Sequence, residues 1–513
     1  MTKNFFTGVS FLVIYLSFFV AGSAQTAKNV IILIGDGNGF NSDLAGTYYR
    51  YGEAGKERYH SFPVAIGCTT YSRTDKNVEL PADVLGYDPK VFWETIANGT
   101  QSSELTKTTD SAASSTAIHG GTKTSNGRIG MTYDKKTIEL ISEIAVKHGK
   151  KAGTVTTVPM SHATPAGFSA HSESRNDLGA IFTQMVSQKS HLSVIMGCGH
   201  PFYEQGKQIK IKDNENEKEK SKRFDCVGGE KNWEQMKSGT LNGFKVIETI
   251  QQFEELASGK GVVPDKIIGV VRSLSPLPPV DGSVAIIPPT TGESGQISSS
   301  SRPLTTPNEN ELKQSRELLD KSYENTDWNE LPSLSTMSLA ALNVLTKNNP
   351  NGFVLMIEGG AIDLANHGRD IGKSVLEHVG FSKAIDTVID WVEKNSSWDE
   401  TLVIVTADHE TGQIWGPETY NDNNKNRVFD KGDSFNEFKK VQNNGRGNVP
   451  NVQYGSNNHT NALVPLYAKG AGANLFLKQV KGTDQKAAQF WNFNGQYVDD
   501  TDIFKVIKTV ISP

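Results

Sequence analysis

In this 513-residue chain three short apolar runs each end in an acidic group. Val30-Ile-Ile-Leu-Ile runs into Gly35-Asp36-Gly37. Phe353-Val-Leu-Met-Ile runs into Glu358-Gly-Gly-Ala-Ile-Asp363. Leu402-Val-Ile-Val-Thr-Ala runs into Asp408-His409. Like charges brought together repel and resist ionising, so clustering them makes sense when cations sit among them. Asp with His is a normal zinc donor set, and oxygen-only groups suit magnesium. Asp363 and His367 have i, i+4 spacing, which puts both on one helix face, as a chelate needs. A lone Asp after a strand is more often a helix cap than a ligand, and most of the 11 histidines should be structural or exposed. Three acidic strand ends with neighbouring histidines are harder to dismiss.

The segment Thr109-Asp110-Ser111-Ala-Ala-Ser-Ser-Thr-Ala is small and rich in capping residues. It reads as a helix start with Asp110 near the N-cap. Free backbone N–H groups and the positive dipole end at such a start can hold a phosphate, and a serine there is placed to attack one. Taken alone, the segment is an ordinary capped helix. Gly35-Asp36-Gly37-Asn38-Gly39 after a strand resembles a dinucleotide loop, but the final glycine is missing at the required spacing and Asp36 would face a pyrophosphate with negative charge.

The elements that must position these groups are strands alternating with helices. The three apolar runs read as buried strands, with Gly153 to Val158 and Leu192 to Met196 as weaker candidates. Helical spacing of Ile138, Ile141, Ile144 and Ala145 stops at Gly149, and Phe381 to Val392 and Phe504 to Ile511 also read as helices. The alternation predicts an α/β three-layer sandwich, with a large, mostly parallel central sheet flanked by helices. Open parallel sheets bind ligands at the carboxyl ends of their strands, so the acidic groups would meet at one edge.

Loop-rich insertions are expected near residues 200–235 and 270–332. Gln208 to Lys222 is dense in Lys, Glu and Asn and reads as a solvated loop; Pro276 to Pro307 is rich in Pro, Ser and Thr and reads as an irregular insertion over the core. Lys3, the apolar Phe5 to Val20 and the small Gly22-Ser23-Ala24 read as a secretory signal over residues 1–24, which would leave 25–513 as a single domain. A transmembrane anchor is the alternative, but the run is short for a span. The product would be periplasmic or secreted, with no membrane span after cleavage. In an oxidising compartment Cys198 and Cys226 are expected to pair, leaving Cys68 free. A net charge of -5 argues against a nucleic-acid-binding module.

Taken together, NVIILIGDGNG, TDSAASSTA followed by GTKTSNGRIG, HATPAGFSAHSESR, FVLMIEGGAIDLANH, LVIVTADHETG and the late Asn457-Asn458-His459-Thr460 resemble an alkaline phosphatase through most of the sequence, in the family's order. The resemblance implies two Zn2+ and one Mg2+. Asp363, His367 and His459 would hold one zinc. Asp36, Asp408 and His409 would hold the other, with Ser111 as a further ligand. Asp36 would also bridge to the magnesium that Thr164 and Glu358 complete. Arg175 would clamp phosphate with its planar fork. The implied reaction is hydrolysis of small phosphate monoesters of broad type through a phosphoserine on Ser111, in an enzyme that is often a homodimer. His162 stands where enterobacterial members have Asp, and Leu364 where they have Lys; His162 is then an outer-shell residue, and the third metal's identity is open. A phosphodiesterase of the same superfamily and a non-catalytic metal- or phosphate-binding protein are the rival readings. A sulfatase would need a Cys- or Ser-x-Pro-x-Arg motif, which the Ser111 region lacks.

Overall fold

The computed structural model describes residues 26–73, 86–97, 108–212, 214–276, 331–421, 423 and 433–512. The expected signal segment and residues 277–330, which hold almost all of the Pro/Ser-rich stretch, lie outside the described residues.

An eleven-stranded sheet forms the centre. Its strands are β1 Asn29–Gly35, β2 Val64–Thr69, β3 Lys151–Pro159, β4 Leu192–Cys198, β5 Lys245–Ile247, β6 Ile267–Val270, β7 Phe353–Gly359, β8 Thr401–Ala407, β9 Val464–Gly470, β10 Gly482–Thr483 and β11 Gln496–Asp499. They lie in the order β10-β11-β2-β9-β8-β1-β7-β3-β4-β6-β5. From β8 to β5 every neighbour is parallel, while β9 runs antiparallel between β8 and β2. The helices used below are α1 Phe40–Tyr51, α2 Ser111–Gly120, α3 Ile141–Lys147, α4 Ala163–Ser169, α5 Leu334–Thr346, α6 Ile362–His367, α7 Ile371–Asn395 and α8 Thr501–Ile511.

The three strongest apolar runs are the three adjacent strands β8, β1 and β7. Their continuity has a direct cause. Successive side chains of a strand point to opposite faces, and here both faces are covered. Val30, Ile32 and Ile34 of β1 enter one core with Ile118 of α2 and Val506 of α8. Ile31 and Leu33 enter the other with Ala340 of α5 and Ile385 of α7. The result is the expected α/β layering of helices on a mostly parallel sheet. Among the described residues no helix is long and apolar enough to cross a membrane.

Register fixes the functional edge. Gly35 pairs with both Ala407 and Gly359, and Glu358 pairs with Thr156 of β3. Asp36 and Asp408, one residue beyond their strands, and Glu358, near the end of its own, therefore emerge side by side.

Several local expectations need correction. Helix α3 begins at Ile141 rather than Ile138, because Ile138 N–H donates to Gly130 O and the Glu143 carboxylate accepts from Leu140 N–H, closing the helix start. Helix α7 begins at Ile371, well before Phe381, with Asp370 accepting from Lys373 N–H. The stretch around 200–235 is more regular than expected: it holds a short hairpin, Tyr203–Glu204 against Lys207–Gln208, and helices Glu217–Phe224 and Glu230–Ser238. The second half of the solvated Lys/Glu run is helical because Asn216 and Glu219 form a reciprocal capping box. Cys198 and Cys226 are not bonded to each other, and none of the three buried cysteines forms a disulfide. Cys198 turns its thiol to Thr157 O on the neighbouring strand, 3.3 Å away.

Candidate active site

Ser111 is the first residue of α2. Asp110 caps it: Oδ1 accepts from Ala113 N–H at 2.9 Å, and Oδ2 accepts from Gly127 N–H at 2.9 Å and pairs with Arg175 Nη1 at 3.0 Å. The small side chains of α2 let it lie close to its neighbours. Ser114 Oγ donates to Asp408 O at 2.6 Å and Ser115 Oγ to Thr164 O at 2.7 Å. At Gly167 of α4 a Cβ would sit 2.4 Å from Ser115 Oγ. The helix start is thereby fixed against the strand edge, with Ser111 buried and its Oγ 3.2 Å from His409 Nε2 and 3.5 Å from Asp36 Oδ2.

One group of donors comprises Asp363, His367 and His459. On α6 the i, i+4 pair meets as the spacing predicts, His367 Nε2 lying 3.3 Å from Asp363 Oδ2. His459 Nε2 approaches Asp363 Oδ1 at 3.5 Å and His367 Nε2 at 3.1 Å. The far ring nitrogens are taken: His367 Nδ1–H donates to Asn457 O at 2.6 Å, and His459 Nδ1–H to Thr109 O at 2.7 Å. A carbonyl only accepts, so each ring carries a proton on Nδ1 and directs Nε2 inward, an atom that offers a lone pair when the ring is neutral. Two inward lone pairs and a carboxylate are a cation's donor set.

The second expected group is Asp36, Asp408 and His409; the donor atoms that converge within 4.8 Å of one another are those of Asp36, Asp363 and His409. His409 Nε2 lies 3.6 Å from Asp36 Oδ1 and 3.4 Å from Asp408 Oδ2. Gly37 N–H and His409 N–H both donate to Asp408 Oδ1, at 3.1 and 2.9 Å. Gly37 has φ 69, and a Cβ there would meet Asp363 Cα at 2.7 Å, so only glycine lets this turn lie against α6. The third group is Glu358, Thr164 and His162. Thr156 Oγ1 donates to Glu358 Oε2, and donor atoms of Asp36, His162 and Glu358 lie within 4.8 Å of one another. His162 Nε2 accepts from Arg175 Nη2 at 3.3 Å. Leu364, on α6, is half-buried.

Four oxygens here are buried and have no hydrogen-bond partner: Asp36 Oδ1, Asp408 Oδ2, Glu358 Oε1 and Thr164 Oγ1. Orphaned buried acceptors are costly, and their convergence fits a bound cation. The electrostatics agree. Burial, followed by the charges of Asp408, Asp363 and Glu358, drives Asp36 well above the carboxylate range. Burial pushes Glu358 up to about 8 and Asp408 to about 6. Burial also pushes Asp363 up, but His367 and His459 together outweigh it and hold it well below its ordinary value. Burial and then Arg175 hold His162 down at about 3, so it is neutral.

All ten expected site residues, with His162, thus lie at one edge of the sheet. Two features escaped the sequence reading. Asp110 is more than a cap, since its second oxygen holds Arg175; that link joins residues 65 apart in sequence and leaves no local signal. Thr411, two residues past His409, donates to Asp363 Oδ1 at 2.5 Å and lies 3.2 Å from His409 Nδ1; its place beside Asp408-His409 was the available hint.

Residues 87–260 and 309–512 match the family model described as Alkaline phosphatase. The chain is similar to alkaline phosphatase 3 of Bacillus subtilis, 27% identical over 395 residues, covering 76% of this chain and 63% of that one. It is similar to the alkaline phosphatase of Escherichia coli, 28% identical over 409 residues, covering 77% and 73%. The match to the Bacillus protein therefore spans less than two thirds of that relative's length. In fold it resembles the alkaline phosphatase from the Antarctic bacterium TAB5, with a TM-score of 0.54 and 21% identity over 95% of this chain and 99% of that one. The Thermus thermophilus alkaline phosphatase superposes with a TM-score of 0.57 and 18% identity, covering 97% and 95%.

Proposed function

The chain belongs to the alkaline phosphatase family, and from that premise we propose that it hydrolyses phosphate monoesters through a covalent phosphoserine on Ser111, with Zn2+ at the Asp363/His367/His459 and Asp36/Asp408/His409 groups and Mg2+ at Asp36/Glu358/Thr164. The observation that carries this reading is the grouping of orphaned buried carboxylate oxygens with imidazole nitrogens beside Ser111, whose Oγ lies 3.2 Å from His409 Nε2.

A serine needs activation, and His409 is the only imidazole recorded within hydrogen-bonding reach of Ser111 Oγ among the described residues. Burial, and then the neighbouring His459, holds His409 far below the ordinary histidine range. A ring so reluctant to take a proton is a poor general base, which favours cation activation over a serine–histidine dyad. Bound zinc supplies Lewis acidity that lowers the pKa of the Ser111 hydroxyl and stabilises the leaving alcohol's oxygen.

The chain's own groups do the rest. Ser111 Oγ, its proton released to solvent, attacks phosphorus in line; the bond to the alcohol oxygen breaks, that oxygen takes a proton from water as the alcohol leaves, and a phosphoserine forms. Asp110 takes the Ala113 N–H, so the start of α2 contributes chiefly through the positive end of its dipole, which favours the developing charge. Arg175, held by Asp110 on one nitrogen and by neutral His162 on another, presents its guanidinium to the equatorial oxygens. Water then attacks the phosphoserine, the Ser111 Oγ–P bond breaks, and phosphate leaves. The segment read as a secretory signal supports a periplasmic or secreted location, and family members are often homodimers.

The test is paired. Ser111→Ala should abolish trapping of a phosphoenzyme and lower hydrolysis of a nitrophenyl monoester by several orders of magnitude, and EDTA should abolish it in the unaltered protein. Full activity in the alanine variant refutes the nucleophile. Faster cleavage of the matching diester refutes monoesterase in favour of diesterase activity.

A further inference from the structure

The three candidate imidazole ligands differ in what fixes them. His367 and His459 are tied at Nδ1 to backbone carbonyls, Asn457 O and Thr109 O, which no side-chain substitution removes. His409 is tied at Nδ1 to a side chain, the hydroxyl of Thr411, at 3.2 Å. That hydroxyl also lies 2.5 Å from Asp363 Oδ1. The directions follow from what each atom can do. A carboxylate that serves a cation is ionised and only accepts. Thr411 O–H must therefore donate to Asp363, which leaves its oxygen lone pairs for His409, so His409 carries its proton on Nδ1 and turns the Nε2 lone pair toward Ser111 and Asp36. Thr411 itself is fully buried. It sits in a two-residue ladder, Glu410–Thr411 against His459–Thr460, with Thr411 directly opposite His459. One hydroxyl thus touches a donor from each zinc group and is held in register with a third.

We infer that Thr411 is a positioning residue that couples the two zinc pockets, orienting His409 of one and Asp363 of the other through a single directed hydrogen-bond chain. The inference rests on the two-zinc reading above and adds the residue that links the pockets. Removing the hydroxyl frees the His409 ring to choose either tautomer and leaves one Asp363 oxygen without its donor. Outer partners of this kind typically contribute about 10–100-fold in metal affinity.

The experiment measures zinc binding directly and without substrate. Apo-protein, prepared with a chelator, is titrated with zinc against a competing zinc-binding dye, for the unaltered chain, Thr411→Val and Thr411→Ser. Thermal unfolding of the three apo-proteins reports whether each folds. Thr411→Val, close in shape but lacking the hydroxyl, should weaken both zinc-binding steps by about 10-fold or more. Thr411→Ser, which keeps the hydroxyl, should restore both. Unchanged affinities in Thr411→Val, weakening of only one step, or failure of serine to rescue each overturn the inference while leaving the two-zinc reading intact. If Thr411→Val does not fold, the serine variant decides: affinities well below those of the unaltered chain overturn the inference, and matching ones support it. An unaltered protein that takes up no zinc refutes the two-zinc reading, and this inference with it.

Discussion

Stripping the metals should make stability depend steeply on pH, in a direction opposite to that of most carboxylate-rich proteins. Without cations, folding buries Glu358, Asp408 and Asp36 beside one another. Burial raises Glu358 from 4.5 to about 8, against a hydrogen bond from Thr156 and with help from the charge of Asp408; burial and then the charge of Asp363 raise Asp408 from 3.8 to about 6, and Asp36 is raised as well. A carboxyl raised in the folded state holds its proton there after the unfolded chain has lost it. Between the two pKa values the folded state binds more protons, so stability falls as pH rises. For Glu358 it is fully present below about 4.5 and lost by about 8, a span worth roughly 5 kcal/mol at 1.36 kcal/mol per unit. Asp408 contributes roughly 3 kcal/mol over its lower window. The two are neighbours and do not add simply, so about 5 kcal/mol is the scale to expect across pH 5 to 8. Thermal unfolding of EDTA-treated protein at pH 5, 6, 7 and 8 should show a midpoint that drops toward pH 8. Zinc- and magnesium-loaded protein, whose site carboxylates are ionised by their cations, should show a smaller drop, the remainder coming from Glu377 and the buried Glu410, raised to about 8 and about 7. Glu358→Gln apo-protein should be more stable than the unaltered apo-protein at pH 8 and should lose the advantage at pH 5. A flat apo profile, or a glutamine variant less stable at pH 8, refutes the reasoning.

Two further outcomes follow from buried charge. Asp110→Asn keeps an oxygen to cap Ala113 N–H but removes the charge that holds Arg175 and the acceptor of Gly127 N–H; the inhibition constant for inorganic phosphate should rise about 10-fold, the equivalent of 1.4 kcal/mol, and the melting temperature should fall with the lost Gly127 hydrogen bond. Lys123 Nζ lies 2.7 Å from Asp500 and 3.2 Å from Asp499 in the interior; Lys123→Met leaves those carboxylates uncompensated and should lower stability by about 3–5 kcal/mol at neutral pH, measured by urea unfolding.

How much of this was legible in the sequence varied with the range of the signal. β1, β7 and β8 could be read because a strand buried on both faces is continuously apolar, and the carboxyl-edge rule then placed Asp36, Glu358 and Asp408 together. Asp363 and His367 could be paired because helical spacing is local. The Asp110–Arg175 ion pair and the Thr411 bridge could not, since each depends on where separate segments meet. Helix α7 was underestimated because its first turns, Ile371 to Gly380, mix Gly, Lys, Glu and His with apolar residues. The expected Cys198–Cys226 bridge failed for a related reason: two cysteines flanking a charged stretch say nothing of which way their thiols turn, and Cys198 faces the adjacent strand. The assignment of nucleophile and metals drew on family resemblance, whereas the geometry contributes the convergence of donors.

The alignment of β8, β1 and β7 also has a metrical consequence. Asp408, Asp36 and Glu358 leave three consecutive hydrogen-bonded strands locked in step at Gly35, Ala407 and Gly359. Neighbouring strands lie about 4.8 Å apart, so the backbone lattice acts as a ruler for the carboxylates before any side chain is chosen. Substituting one of the three side chains changes the charge at that edge but does not reset the ruler.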